Sequence, residues 1–457
     1  MLTTRTCNRL WLLERGYLSL VVLAVLAALT SGCGRTPLGR PQMDGAEISG
    51  PDSSGQGIDS SGDEGVCLVD FVTYQSGTAN PNNPCQSCQP SRSKTGWSSL
   101  ATGTGCLGLG FDQSCAIING SAWCWGGNTY GQLGNNSTTS RASAVPVQGL
   151  ASEVQAIVGA NGNSYALVNG GVQAWGDNSQ GELGNNSTTN GLVPVPVQGL
   201  SSGIQTVVAG WYHACALASG EVWCWGDNNY GQLGNTGGQS DVPVLVQGLP
   251  SGVQAIAAGD NHTCVLVADD VWCWGLNADA QLGHASSDYG DLINPYNPNP
   301  VKVAGVPSGM GIVAAGGSLS CVLADGKVWC WGKTDHLSGP AASAVPAMVS
   351  GLPSLVRAVA VGGKHACALL DDGIMCWGRD DAGQLGDNSP SALFASLPVR
   401  VQGLPSPVQA VAAGWYHTCA WAASAVWCWG YNFSGELGNN STSLSSVPVR
   451  VLGLPGS

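Results

Sequence analysis

Seven Trp-Gly pairs recur along the chain, at Trp125, Trp175, Trp225, Trp274, Trp331, Trp377 and Trp429, with successive pairs 46 to 57 residues apart. Five of them sit in the string Trp-Cys-Trp-Gly, as at Trp123-Cys124-Trp125-Gly126. A period near 50 made of strand-like pieces means one supersecondary unit that buries its apolar face only against the next copy. The units run in one order. A small apolar strand (Val253-Gln254-Ala255-Ile256-Ala257-Ala258-Gly259) comes first, then a hairpin, the Trp-Gly pair and a Gly-Gln/Glu-Leu-Gly turn such as Gly131-Gln132-Leu133-Gly134. A polar loop follows, and the unit closes with Val-Pro-Val and Gly-Leu. Such units predict an all-β fold, a seven-bladed β-propeller over residues 107–457. The first unit starts at Leu107 with no closing segment before it, and the last ends in Val447-Pro448-Val449-Arg450-Val451. Ring closure by the C-terminal strand joining the first blade is therefore expected, which would remove exposed sheet edges.

Cysteine spacing constrains each hairpin. Twelve of the 18 cysteines form six pairs nine residues apart: Cys115 with Cys124, Cys215 with Cys224, Cys264 with Cys273, Cys321 with Cys330, Cys367 with Cys376, and Cys419 with Cys428. If Cys115 faces Cys124, then Ile118 faces Ser121 and the loop is Asn119-Gly120, a strong two-residue hairpin signal. The count places Asn169-Gly170, Ser219-Gly220 and Asp325-Gly326 in the same loop; units four, six and seven lack the second glycine, so different turns are expected there. The cysteines then occupy a non-hydrogen-bonded pair, with Cα atoms near 4.5 Å apart, which a disulfide accepts. In the second unit both cysteines are replaced together, by Tyr165 and Ala174, as bonded partners would be.

Upstream of Leu107 the composition changes twice. Residues 1–32 carry Arg5, Arg9 and Arg15 before an apolar run from Leu18 to Leu29, too short to span a bilayer comfortably, and read as a signal peptide. The run ends in Leu29-Thr30-Ser31-Gly32-Cys33, which resembles a bacterial lipobox and makes Cys33 the expected lipidation site; Thr30 stands where an aliphatic residue is usual. Residues 33–66 are rich in Gly, Ser, Asp and Pro and read as a flexible linker that, as a coil, spans roughly 30 Å. Residues 67–106 hold Cys67, Cys85, Cys88 and Cys106 and predict a small module stapled by two disulfides, too short for a core of its own. Cys67–Cys85 with Cys88–Cys106 is the pairing preferred among three; a single C-x-x-C argues against zinc. Paired cysteines point to an oxidising compartment, so the chain is read as exported and lipid-anchored to a bacterial cell envelope.

Charge narrows the partners. The whole chain carries a formal charge of −13 with 10% charged residues. Removal of residues 1–32 takes away three arginines and one glutamate, leaving a more acidic remainder. An acidic surface repels phosphate backbones, so nucleic acid is not expected as a partner. Contact with a membrane is expected only through the lipid, and the chain is read as a monomer.

Repeats carrying Gly259-x-x-His262, Trp274-Gly275 and Gly231-Gln232-Leu233-Gly234 resemble the regulator of chromosome condensation family of seven-bladed propellers. The resemblance spans Leu107 to Ser457 in seven copies. Unit five departs, with Lys333-Thr334-Asp335-His336-Leu337-Ser338-Gly339 in place of the turn. The family's founder exchanges guanine nucleotide on a small GTPase, and a secreted member binds a β-lactamase through aromatic residues on one face. Export and disulfides argue against the exchange role here.

Chemistry is sparse. No Walker loop, nucleophile elbow or zinc-protease string occurs, so neither enzyme activity nor cofactor is expected. His213, His262, His365 and His417 lie two residues before a hairpin cysteine, but equivalent positions on separate blades seldom converge on one ion. Each is expected as a buried histidine bonded to backbone, and no metal is expected. The candidate ligand-binding residues stand just after the glycine that ends the inner strand: Phe111, Trp211-Tyr212, Asp260 and Trp415-Tyr416, with Asn161 in the same place. Variable aromatic and acidic residues at one structural position suit a binding face, although the same rings could simply plug the channel. The longest loop, 285–300, adds Tyr289 and Tyr296. The expected function is a non-catalytic protein-binding scaffold, with glycan or cell-wall recognition as the alternative.

Overall fold

A computed structural model describes residues 107–284, 295–333, 342–353, 355–389 and 393–456, together with the backbone of five short strands between 66 and 99. The lipobox with Cys33, residues 33–65, Cys88, Cys106, Tyr289 and the segment 334–341 lie outside the described residues. The chain divides into two units, Met1–Ser61 and Gly62–Ser457, and all described residues belong to the second. In the cysteine-rich stretch, Val66–Val69 pairs antiparallel with Val72–Gln75, and Ala79–Asn80, Asn83–Ser87 and Ser98–Ser99 form a second small sheet. Cys67 and Cys85 sit on these strands; the pairing of the four cysteines lies outside what is described.

Residues 107–450 form seven four-stranded antiparallel sheets, each in sequence order from the innermost strand outward. Blade one is Leu107–Leu109, Gln113–Ile118, Ser121–Gly126 and Arg141–Pro146; blade seven is Val408–Ala413, His417–Ala422, Ala425–Gly430 and Ser445–Arg450. Inner strands are rich in alanine and glycine because seven of them converge on one axis. The Trp-Gly tryptophans end the third strands and are wholly buried between blades. Each glycine beside them has φ between 96° and 108°, and a Cβ on Gly126 would lie 2.4 Å from the Asp112 carbonyl, so no other residue fits. The outer strand of every blade contains proline, from Pro146 to Pro448, which denies a ladder to any further strand.

The hairpins follow the expected register. Cys115 pairs with Cys124 and Ile118 with Ser121, and Asn119 and Gly120 have φ of 53° and 80°. All six expected hairpin disulfides form. Cys115 is bonded to Cys124, Cys215 to Cys224, Cys264 to Cys273, Cys321 to Cys330, Cys367 to Cys376, and Cys419 to Cys428. Their Cα atoms stand 4.0 to 4.1 Å apart, closer than the 4.5 Å expected of the strand pair, because each bond draws the two strands together. The turns without a second glycine behave unequally. Blade seven keeps two positive φ angles on Ala423 and Ser424, blade four keeps one on Ala268, and blade six moves it to Gly373, outside the two-residue loop.

Closure differs from expectation in one respect. The final strand Ser445–Arg450 pairs with the third strand of its own blade seven, not as an added strand of the first sheet, because blade one already holds four strands of its own. The carboxy-terminal segment still joins the ends. Ala144 N–H donates to the Leu452 carbonyl at 3.0 Å, and Val451 and Leu454 pack in one cluster with Leu107, Ile118 and Ala144.

Two further layers hold neighbouring blades together. First, Leu133, Leu183, Leu233, Leu282, Leu385 and Leu437 of the Gly-Gln/Glu-Leu-Gly turns (Ala280-Gln281-Leu282-Gly283 in blade four) are fully buried, and the carbonyl before each accepts the indole N–H of the next blade's Trp-Gly tryptophan. Second, the histidines bond across blades rather than to backbone as expected: His213 to Thr263, His262 to Ser320, His365 to Thr418 and His417 to Ser114, at 2.7 to 2.9 Å. Each of these hydroxyls donates to a turn carbonyl, so it accepts from Nε2–H, leaving Nδ1 bare. Burial pushes His213, His262 and His417 down to about 3 and His365 to about 4. These histidines are neutral struts.

Candidate binding face

Antiparallel order puts the turn after each inner strand at the same end of the propeller as the loop after each third strand; the two-residue hairpins lie at the other end. The candidate residues Phe111, Trp211, Asp260 and Trp415 therefore meet around the axis. Their backbones are tied blade to blade: Phe111 N–H donates to Ala160, Trp211 to Asp260, Asp260 to Gly317, Gly363 to Gly414 and Trp415 to Gly110, at 2.8 to 3.2 Å. Beneath lies an axial cavity of about 120 Å³ lined by inner-strand glycines and alanines, with Phe111, Trp211, Asp260 and Trp415 at its mouth.

The rings form one continuous arc. Trp415 stands edge-on to Trp211 at 4.6 Å and 5.2 Å from Phe111, and Trp211 leads on to Tyr212 at 6.1 Å. In the other direction Trp415 meets Tyr416 at 5.2 Å, Tyr416 meets Tyr431 at 6.0 Å, and Tyr431 meets Phe433 at 4.7 Å. Trp415 lies against Gly363, whose imagined Cβ would be 2.5 Å from the ring. All of these rings except Phe433 are half-buried, and Phe433 is 64% exposed. They both cover the channel and leave faces open to solvent.

Polar groups fix the arc. Trp415 Nε1–H donates to Asp260 Oδ1 at 3.1 Å, from a residue 155 positions away. Burial raises Asp260 to about 6, opposed by that hydrogen bond and by the Lys364 ammonium. Lys364 Nζ lies 4.6 Å from the Trp415 ring centroid, and the Arg379 guanidinium 5.8 Å from Tyr416. The Trp211 indole nitrogen is buried without a hydrogen-bond partner.

Tyr296 begins the outer strand of blade four, pairs with Leu276 at this same end and is exposed, but makes no ring contact with the arc among the described residues. Sequence reasoning missed Lys364, Arg379, Tyr431 and Phe433, and also the exposed Tyr130 and Tyr230. A signal was present: Tyr130, Tyr230 and Phe433 all fall between a Trp-Gly pair and its Gly-Gln/Glu-Leu-Gly turn, where the loop faces the same end. Two buried glutamates also escaped notice. Glu182 and Glu436 replace the turn glutamine, accept one backbone N–H each and leave Oε1 without a donor; burial first, then nearby aspartates, raise both to about 7.

This arrangement defines a class: a closed seven-bladed propeller with an aromatic face around its axis. The Regulator of chromosome condensation (RCC1) repeat model matches residues 119–167, 169–217, 219–266 and 371–421, and a second model of that repeat matches 204–232, 253–281 and 356–384. The matched segments of this chain are RCC1 repeats. The fold is similar to yeast RCC1 (Prp20) bound to Kap60, with 21% identity, a TM-score of 0.65 and coverage of 77% of this chain and 85% of that one. Prp20p of Saccharomyces cerevisiae, in a structure reported with its binding properties to Gsp1p and histones, matches at 22% identity and a TM-score of 0.59, covering 68% and 80%. Human WBSCR16 matches at 24% identity and a TM-score of 0.61, covering 73% and 93%. No curated protein sequence matches this chain.

Proposed function

We propose that this protein is a non-catalytic scaffold that binds another protein through the aromatic arc, and that it does so as an exported, lipid-anchored protein of a bacterial cell envelope. The continuous run of half-buried rings from Tyr212 to Phe433 carries the reading. Large rigid rings give contact area at small cost in side-chain entropy, and they concentrate binding energy at interface centres. Similarity to yeast Prp20, whose structure was obtained with Kap60 bound, supports a scaffold role without naming a partner here. Six disulfides support an oxidising compartment and weigh against nucleotide exchange on a cytosolic GTPase.

The test is capture of envelope and secreted proteins on the full oxidised chain beside a Trp211→Ala/Trp415→Ala variant. A partner held by the first and released by the second is the expected result. Equal capture by both would move the site, with the segment leading into Tyr296 next in line. Retention of cell-wall polysaccharide instead of protein would favour the glycan alternative.

A further inference from the structure

The turn that follows each inner strand holds, in order around the ring, Phe111, Asn161, Trp211, Asp260, Gly317, Gly363 and Trp415. Only Asp260 among them can carry a charge. Its side chain reaches across the axis from blade four to blade seven, where Oδ1 accepts the Trp415 indole N–H at 3.1 Å. Its backbone is tied on both sides. Asp260 N–H donates to the Gly317 carbonyl at 2.9 Å, and its own carbonyl accepts from Trp211 N–H at 2.8 Å. Trp415 stands 4.6 Å from Trp211, and 5.2 Å from both Phe111 and Tyr416. One carboxylate therefore holds the ring at which the two limbs of the arc meet. The Lys364 ammonium of blade six lies 4.6 Å from the centroid of that same ring and also acts on Asp260. The other groups bonded to Asp260, Trp211 of blade three, Gly317 of blade five and Trp415 of blade seven, are uncharged.

We propose that Asp260 is a proton-operated latch on the arc. As a carboxylate it fixes Trp415 for docking; on taking a proton in mild acid it slackens that hold, and the protein partner is released. The inference rests on the docking reading for its partner. Burial sets the window, raising Asp260 to about 6 against the opposing pull of the Trp415 bond and the Lys364 ammonium. Above that value the Trp415 N–H meets a charged acceptor, a bond roughly twice as strong as a neutral one. Below it the carboxyl accepts more weakly, and Lys364 loses its counter-charge. The fold does not share this fate. Because the folded value is raised, protonation of Asp260 favours the folded chain from about 6 down to the ordinary carboxyl range. The backbone hoop holds no titratable atom, and the four strut histidines, at about 3 to 4, stay neutral throughout. Glu436, raised to about 7, acts on Tyr431 at the far limb and is the competing titration to be excluded.

The test uses the full oxidised chain with ¹⁵N-labelled tryptophan, the Trp415 resonance being assigned through Trp415→Phe. Its indole N–H is expected to shift with a midpoint near 6, and Asp260→Asn to abolish that shift. Asn161 fills the same turn in blade two, so the substitution is one the turn accommodates. Lys364→Met should move the midpoint upward, because the ammonium favours the charged carboxylate. Glu436→Gln should leave the midpoint in place. A Trp415 resonance that does not titrate would overturn the proposal, and so would a titration that survives Asp260→Asn or vanishes in Glu436→Gln. Capture of the partner then tests release. It is expected to be about fivefold to tenfold weaker at about pH 5 than at about pH 7.5, with no such drop in Asp260→Asn. Capture indifferent to pH would overturn release by acid while leaving the docking face standing. No partner released by the Trp211→Ala/Trp415→Ala variant would refute the docking reading, a failure distinct from a latch that does not titrate.

Discussion

Blades two and five both depart from the repeat, and they do so in opposite ways. Blade two loses its disulfide, yet the space is refilled from within: Tyr165 is fully buried, donates its hydroxyl to the Glu182 carbonyl at 2.8 Å and packs edge-on to Trp225 at 6.2 Å. Blade five keeps its disulfide and loses its turn, and nothing among the described residues answers Trp377. A change inside a hairpin can be compensated by the residue that makes it. A change in a turn leaves its vacancy in the next blade, where another side chain must absorb it.

Four results would break or sharpen this contrast. The largest effect belongs to Tyr165→Ala, which removes a buried ring and its hydrogen bond and should cost about 3–5 kcal/mol in urea unfolding. Tyr165→Phe should cost only about 1 kcal/mol; equal losses in the two variants would show that the hydroxyl, not the ring, replaces the disulfide. Next, changing Cys321 and Cys330 together to alanine should lower stability by about 2–3 kcal/mol, the scale of a short closed loop. If that loss falls well short of the same change at Cys215 and Cys224 in blade three, the open turn has already loosened blade five.

Acid supplies the third test. His213, His262, His365 and His417 have folded values far below the ordinary 6.5, so their neutral forms stabilise the fold above 6.5 and that stability is lost as pH falls toward 3. Glu182 and Glu436, raised to about 7, and Asp260, raised to about 6, act oppositely: protonation favours the fold from about 7 down to the ordinary carboxyl range. Stability measured by urea unfolding should change little between pH 6.5 and 4.5 and fall steeply below that. Glu182→Gln should bring the decline to higher pH; a profile unmoved by it would discard the opposition. Least in size, Ser424→Gly should raise stability by about 0.5–1 kcal/mol, because Ser424 holds a φ of 63° that glycine adopts freely.

What could be read from the sequence was what repeats within one blade. The nine-residue cysteine spacing places Asn119-Gly120 in its turn and Ile118 opposite Ser121, because a two-residue loop leaves one register. Blade seven shows the limit, since Ala423 and Ser424 keep the same turn geometry without the glycine that announces it. Bonds between blades were hidden. His417 and Ser114 meet across 303 positions, and Trp415 and Asp260 across 155, through ring closure that no local pattern encodes. The pairing emerges only with neighbours known: each strut histidine meets a Ser or Thr of the next blade, while Leu319 faces a blade carrying Ala366. Phe111, Trp211 and Trp415 were visible as candidates by their shared position, whereas Lys364 and Tyr431 gain meaning only from the ring they touch.

The backbone bonds linking Phe111, Trp211, Asp260 and Trp415 to neighbouring blades have a kinetic consequence. Residues mounted on a hydrogen-bonded hoop cannot swing aside to admit a guest or fold over it afterwards. Were a partner recognised on such a mount, little freedom would be surrendered on contact, and changes to the face would be felt in how long a complex lasts rather than in how fast it forms.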